Sequence, residues 1–357
     1  MNIQKTTKSK LDTFNKDTFT FGDTFIDHMV ICEYDGNEWG EMKLMPYGPL
    51  QITPANMAFN YGQACFEGMK AYKDKNGEVF IFRPDKNFVR INKSAERLAI
   101  PQITEEMFMN GIKALVDIDR DWIPEGRDYS LYIRPLLFAS SEYLKATISK
   151  EYIFAIVATP AKAYYSEPVS VLIADHYSRA ANGGTGFAKA AGNYGGSFYP
   201  TKKANEKGYQ QVIWTDDATH KYIEECGTMN VFFRINDTIY TPPVSERILD
   251  GVTRDSILKL AEKNGIEVVV DRIEVKDIIE AHKNGSLKEA WGVGTAVVAN
   301  QFKAIGYGDQ RMDLPILKEE ESFALKLKND LIDIQSNQVE DPFGWRVQVS
   351  KNFIDTL

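Results

Sequence analysis

Hydrophobic and polar positions along the chain predict strands and helices that interleave. Glu78-Val-Phe-Ile-Phe82 reads as a strand, followed by a helix over 86–99 that ends before Pro101. A second amphipathic helix is expected over 104–118, opening on Thr104 with acids in its first turn. β-Branched and aromatic content predicts strands over 130–138 and 152–158. The stretch 159–168 is bounded by prolines and rich in turn formers, and it sets an interdomain linker at 161–170. Beyond it, strands are expected over 169–174, 211–214, 231–235, 238–240 and 268–270, with Asn236-Asp237 as a hairpin turn. Helices follow over 253–263 and 276–283 and near 319–334. No regular βαβ period emerges, so the expected class is α+β or mixed α/β. At 357 residues the chain exceeds the usual single domain. The expectation is an N-terminal α/β domain over 1–160 and a C-terminal domain over 171–357.

One lysine stands in unusual company. Lys189 lies in Gly186-Phe-Ala-Lys-Ala-Ala-Gly-Asn-Tyr-Gly195, with Glu206 the nearest carboxylate on its C-terminal side. A low-dielectric setting lowers an ammonium pKa and makes the amine nucleophilic near neutral pH, as Schiff-base chemistry with a carbonyl cofactor requires. Taken alone, a tight loop containing a lysine is the simpler reading. Glu225, in Glu224-Glu225-Cys226-Gly227-Thr228-Met229-Asn230, borders the apolar stretch 231–233. A carboxylate there is costly unless a cation meets it, and an exposed strand-end charge is the alternative. Together the two residues suggest pyridoxal phosphate, the lysine holding its aldehyde and the carboxylate keeping its ring nitrogen protonated.

Phosphate has two candidate cradles. The segment 249–265 reads as a helix with Thr253 as cap, Asp255 in the first turn and Asn264-Gly265 as the stop. A helix N-terminus behind a glycine suits an anion. Gly292-Val-Gly-Thr295-Ala296, after the strand-like 289–291, is a second glycine-rich turn. Asn182-Gly-Gly-Thr-Gly186 is not a nucleotide loop: Ala190 follows Lys189 where Ser or Thr is needed, and the third glycine of the dinucleotide fingerprint is missing. A flexible loop leading to a lysine-bearing strand is the plainer reading.

Phe66-Glu-Gly-Met-Lys-Ala71, Tyr132-Ile-Arg-Pro135, the Lys189 to Gly195 run, the Glu225 to Asn230 run and Gly294-Thr-Ala296 occur in the order found in branched-chain amino-acid aminotransferases. The chain resembles that family over nearly its whole length. The resemblance implies a two-domain fold-type IV pyridoxal-phosphate enzyme of the D-amino-acid aminotransferase-like kind, with a pseudobarrel as second domain, assembled as a homodimer. It implies Lys189 as the Schiff-base lysine and proton carrier, Tyr194 on the ring oxygen and Glu225 on the ring nitrogen. Arg90, the Val252–Thr253 helix start and Thr295 are then the phosphate ligands. Arginine suits that task by its forked donors, although without the motif Arg90 reads as a charge on a solvated helix face. For the substrate, Tyr132 with the Thr295 and Ala296 amides resembles the α-carboxylate site, and Arg134 would meet a second carboxylate. Phe25, Tyr61, Phe66 and Tyr164 would wall the apolar pocket, with Tyr61 supplied by the partner subunit. The implied reaction is transamination of L-leucine, L-isoleucine and L-valine with 2-oxoglutarate.

Composition narrows the field. A net charge of −8 disfavours binding to a phosphate backbone, so no nucleic-acid partner is expected. No apolar run reaches membrane-spanning length, and no secretory segment opens the chain. Cys32, Cys65 and Cys226 are widely spaced and odd in number, which reads as reduced, partly buried thiols in a cytoplasmic protein. Where animal members of the resembled family carry a CxxC pair, this chain has Val297 and Asn300, so thiol switching is not expected there. The four histidines show no metal-site spacing. Two alternatives share the lysine and glutamate, a D-amino-acid aminotransferase and an aminodeoxychorismate lyase. A third, from another class, is a non-catalytic binding protein on the same fold.

Overall fold

The structure, a computed structural model, describes residues 1–162 and 167–357, arranged as two units. The first holds the described part of 1–164 together with Ala188–Gly192 and Asp333–Leu357; the second holds the described part of 165–187 and Asn193–Ile332. The second domain expected over 171–357 is therefore interrupted at 188–192 and ends at Ile332. Backbone pairing is the reason in both places. Ala190 bridges Cys65, and the strand Arg346–Val349 pairs antiparallel with Val79–Phe82.

The first unit is built on a nine-stranded sheet. Its order is Asn2–Ile3, Lys43–Pro46, His28–Tyr34, Tyr152–Ala161, Ser130–Ala139, Met69–Lys73, Val79–Phe82 and Arg346–Val349, with Ala64–Phe66 pairing onto Ser130–Ala139. Two helices, Pro84–Arg97 and Glu105–Ile118, share its core. The second is capped as expected, Thr104 accepting from the Met107 amide. Gly111 lets this helix approach closely, because a Cβ there would lie 2.8 Å from Ile156. The strand Tyr152–Ala161 runs past its expected end at 158 and reaches the first residue of the expected linker. Pro160 is tolerated because the neighbouring strand His28–Tyr34 pairs only as far as Ile156, so no ladder bond is lost on that side.

The second unit closes on itself. Met229–Ile235 pairs with Leu287–Gly294, which pairs with Val298–Tyr307, then Val169–Ile173, Gln211–Thr215 and Tyr222–Cys226. Tyr222–Cys226 pairs back onto Met229–Ile235 and completes a six-stranded barrel within a ten-stranded sheet. The expected pseudobarrel is this ring. Alternation along one strand shows how it is packed: Val231 and Phe233 join a cluster with Ile278, while Phe232 stacks on Trp291 at 5.5 Å. The Asn236 turn links Met229–Ile235 to Thr238–Thr241, with Asn236 in the left-handed region at φ 52°. One boundary shifts in a way that bears on function. The helix expected over 253–263 is Val252–Lys263; its N-cap is Gly251, with no side-chain cap, and Thr253 is not the capping residue.

Candidate functional site

In the first unit, Lys189 is tied to its surroundings through its main chain. Its carbonyl accepts the Phe66 amide at 3.1 Å, and its own amide donates to Ser94 Oγ at 2.9 Å. Ala191 N–H donates to the Ala64 carbonyl at 2.9 Å. The expected lysine-bearing strand is thus a single bridge, Cys65 to Ala190. The Lys189 amine lies 5.0 Å from the centre of the Phe66 ring, and the Arg134 guanidinium lies 4.4 Å from it.

Tyr132 and Arg134 alternate with Ile133 on one strand and share a face, as period two requires. Arg134 Nη2 donates to Tyr132 Oη at 3.0 Å. Arg134 Nε is buried and has no hydrogen-bond partner among the described residues. A Cβ on Gly68 would fall on the Tyr132 hydroxyl, so only glycine leaves room for it.

Asn87, Arg90 and Ser94 lie on one face of Pro84–Arg97, spaced three and four residues apart, and all three are buried. Arg90 Nε and Nη2 grip Glu67 at 2.7 and 2.8 Å, and Asn87 Nδ2 donates to the same carboxylate at 2.6 Å. The solvated-face reading of Arg90 fails, because fully buried Glu67 draws the guanidinium inward. Glu67 went unremarked as a functional residue in the sequence, although Phe66-Glu-Gly contains it.

The aromatic assignments divide. Phe66 lies under both cations. Phe25 stacks flat on Tyr47 at 4.7 Å, and Phe21, four residues earlier, meets Tyr132 edge-on at 5.2 Å. Tyr61 is half exposed and donates to the Leu144 carbonyl. Tyr164 lies outside the described residues.

In the second unit, Glu225 is buried at the strand Tyr222–Cys226 and meets the cation its burial requires. Arg179 Nε lies 2.7 Å from Oε2, and the Leu249 amide donates to Oε1 at 2.7 Å. The exposed strand-end alternative is thereby excluded. Its neighbour Glu224 pairs with Arg247. Burial pushes the Glu224 carboxyl above its ordinary pKa, and the Arg247 charge and hydrogen bond offset only part of that rise. Arg179 also donates to the Gly186 carbonyl at 3.0 Å and to that of Arg247. Asn193 holds the same loop, exchanging hydrogen bonds with Thr185 at 2.6 and 2.8 Å. Gly183 N–H donates to Glu246 at 2.8 Å. The glycine-rich loop read as flexible is therefore pinned at several points.

Tyr194 and Glu225 line one small pocket with Arg179, Asn193, Ser197, Thr228 and Leu249. Next to this pocket in sequence, the helix Val252–Lys263 starts on Gly251, where a Cβ would fall on Asn230 Oδ1. Asn230 in turn donates to the Leu249 carbonyl at 3.0 Å. Thr253 is buried in the first turn. Thr295 and Ala296 form the turn between two barrel strands, and it ends on Val298 at φ 59°, a conformation a β-branched residue rarely adopts. Backbone strain of this kind gathers at functional turns. Arg179 escaped the sequence reading. The signal available was the demand that some cation meet Glu225, which does not say which one.

Comparison with known proteins agrees with this chemistry. Residues 64–303 match the amino-transferase class IV family. A probable branched-chain-amino-acid aminotransferase of Staphylococcus epidermidis is 44% identical over 96% of both chains. Branched-chain-amino-acid aminotransferase 2 of Bacillus subtilis is 41% identical, again over 96% of both chains. Among solved structures, the branched-chain amino acid aminotransferase of Thermobaculum terrenum in its PLP form superposes with a TM-score of 0.74. It is 19% identical and spans 91% of this chain and 98% of that one.

Proposed function

Because the chain belongs to the class IV aminotransferase family, we propose that it transfers the amino group of L-leucine, L-isoleucine and L-valine to 2-oxoglutarate, using pyridoxal phosphate. The observation that carries the reaction is the likeness to branched-chain aminotransferases over 96% of the chain. The residues fit the cofactor. The uncapped helix start at Gly251, with no room for a Cβ, is a cradle for a phosphate, and buried Arg90 is a cation within the first unit suited to the same group. Glu225, its two oxygens fixed by Arg179 and the Leu249 amide, would supply a fixed carboxylate for a ring nitrogen. Bound pyridoxal phosphate supplies an electron sink for the bond broken at the substrate Cα.

This chain's own residues do the rest. Lys189 would hold the cofactor and move the proton taken from the substrate Cα. Its main-chain hydrogen bonds set where the amine starts. Tyr194 steadies the ring oxygen, and Val252, Thr253 and Thr295 complete the phosphate site. Tyr132, with the Thr295 and Ala296 amides, orients the α-carboxylate. Arg134 meets the γ-carboxylate of glutamate, and its Nε, without a partner among the described residues, supports that role. Phe66 gives the pocket its apolar wall, and Phe21, by its contact with Tyr132, is a better candidate for a second wall than Phe25.

The assembly is a homodimer in the cytoplasm. Phe59 and Leu144, 69% and 70% exposed on the first unit beside Tyr61, support a covered face. All three cysteines are buried free thiols, and among the described residues no helix is long and apolar enough to cross a membrane. The test is a half-reaction scan of the purified, cofactor-loaded protein against L- and D-amino acids, followed by the cofactor's visible absorbance. Rapid bleaching by L-leucine, L-isoleucine, L-valine and L-glutamate is expected. Bleaching by D-amino acids alone, or by none, overturns the assignment.

A further inference from the structure

The amide of Lys189 and the carbonyl of Arg90 meet on one side-chain atom. Ser94 Oγ, fully buried, accepts the Lys189 N–H at 2.9 Å and donates to the Arg90 C=O at 2.9 Å. The second bond is the ordinary back-bond of a helical serine to the residue four before it. The first is not local: it spans 95 positions and ends on the residue assigned to the chemistry. Its geometry also fixes the proton. The hydroxyl hydrogen is committed to the helix carbonyl, which leaves a lone pair turned toward the Lys189 amide.

We infer that Ser94 is a positioning residue for Lys189, coupling the helix that carries Arg90 to the segment that carries the lysine. This inference rests on the transaminase reading above. The amine of Lys189 is the far end of a chain of rotatable bonds whose origin is the Lys189 Cα. The pairing with Ala64–Phe66 restrains that origin on one side through the carbonyl, and Ser94 restrains it on the other through the amide. A proton carrier must reach two atoms from a single anchor, so small displacements of the anchor act on rate more than on binding. Both polar contacts of the Ser94 hydroxyl are to main chain, the Lys189 amide and the Arg90 carbonyl. Its effect passes through Lys189.

The experiment compares wild type with Ser94→Ala and Ser94→Thr. Hydrogen exchange of the cofactor-free protein is read first, because it needs no activity. Ser94→Ala should speed exchange of the Lys189 amide by about tenfold or more while leaving the strand Ser130–Ala139 protected. In the loaded protein, Ser94→Ala should lower kcat by roughly tenfold with KM for L-leucine little changed. The pH midpoint of the cofactor's visible band should move as well. Ser94→Thr, which keeps the hydroxyl, should restore all three readouts. If that variant does not fold, Ser94→Cys takes its place and should recover less than half of the loss. Unchanged exchange at Lys189 in Ser94→Ala overturns the inference, as does a kcat loss matched by an equal loss of folded protein. Failure of the transaminase reading is separate: it would show as inactive wild type whatever the exchange data say.

Discussion

Lys189 and Glu225 carry opposite charges and are held in opposite ways. The lysine is fixed by its backbone, to Phe66 and Ser94, and its amine lies across an aromatic ring. The glutamate is fixed at the carboxylate itself, one oxygen on Arg179 and the other on the Leu249 amide. The difference follows from the work each is assigned. The main-chain bonds of the lysine fix where its side chain starts, and the carboxylate bonds of the glutamate fix where its charge stays. The first unit is an open sheet with a bridged loop, and the second holds a closed barrel.

The comparison is broken most decisively at the lysine. Lys189→Ala should abolish turnover while the protein still folds. Borohydride reduction and peptide mapping check it, and a label on any other lysine would sink the assignment. Glu225→Gln should come next. The amide removes the fixed charge but keeps the shape, so kcat should fall by roughly 10²–10³ while cofactor affinity changes far less. An unchanged kcat would reduce Glu225 to a partner for Arg179.

A third variant sharpens the comparison inside the first unit. Arg134→Met should damage the half-reaction with L-glutamate and largely spare that with L-leucine. A charge-assisted hydrogen bond is worth roughly 1.5–3 kcal/mol, or about one to two orders of magnitude in kcat/KM, and stopped flow on both half-reactions measures it. Equal losses would make Arg134 an α-carboxylate ligand or a structural residue.

The smallest effect concerns the N-terminal arm that brings Phe21 to Tyr132. Asp27 latches it, accepting from Ser9 Oγ at 2.5 Å, the Lys10 amide at 2.8 Å and Trp122 Nε1 at 2.9 Å. Burial works to raise the Asp27 pKa, but those hydrogen bonds outweigh it and leave the carboxyl below its ordinary value. A lowered pKa means the latch is at full strength above about pH 4 and is lost as the pH falls through the folded-state value. Nicking of the arm around exposed Lys16 should therefore rise on acidification, followed with an acid-active protease of broad specificity. Asp27→Asn should release the arm already at neutral pH, by about 1–2 kcal/mol or a factor of roughly 5–30, and should flatten the acid step. A retained step would place the acid sensitivity elsewhere.

Much of this was legible in the residues. The helices at 84–97 and 105–118, the shared face of Tyr132 and Arg134, and the need for a cation at Glu225 follow from spacing and burial cost. What escaped depends on distance along the chain. Glu67 and Arg90 are 23 positions apart, Arg179 and Glu225 farther, and no local pattern joins them. The choice between Phe21 and Phe25 turns on Gly22, whose φ of 86° redirects the chain between them. The strand His28–Tyr34 went unread because it mixes His28 and Glu33 into an apolar run at the middle of the sheet.

The pairing of Val79–Phe82 with Arg346–Val349 has a consequence for synthesis. A chain made from its N-terminus exposes the first strand long before the second. At about 5–20 residues per second, that edge waits some tens of seconds for its partner. During that interval the nascent protein presents an open row of amides and carbonyls, the kind of template on which other chains add. Truncation before Arg346 would make the interval permanent, so a nonsense change there should deplete this protein through aggregation although it removes none of the assigned site residues.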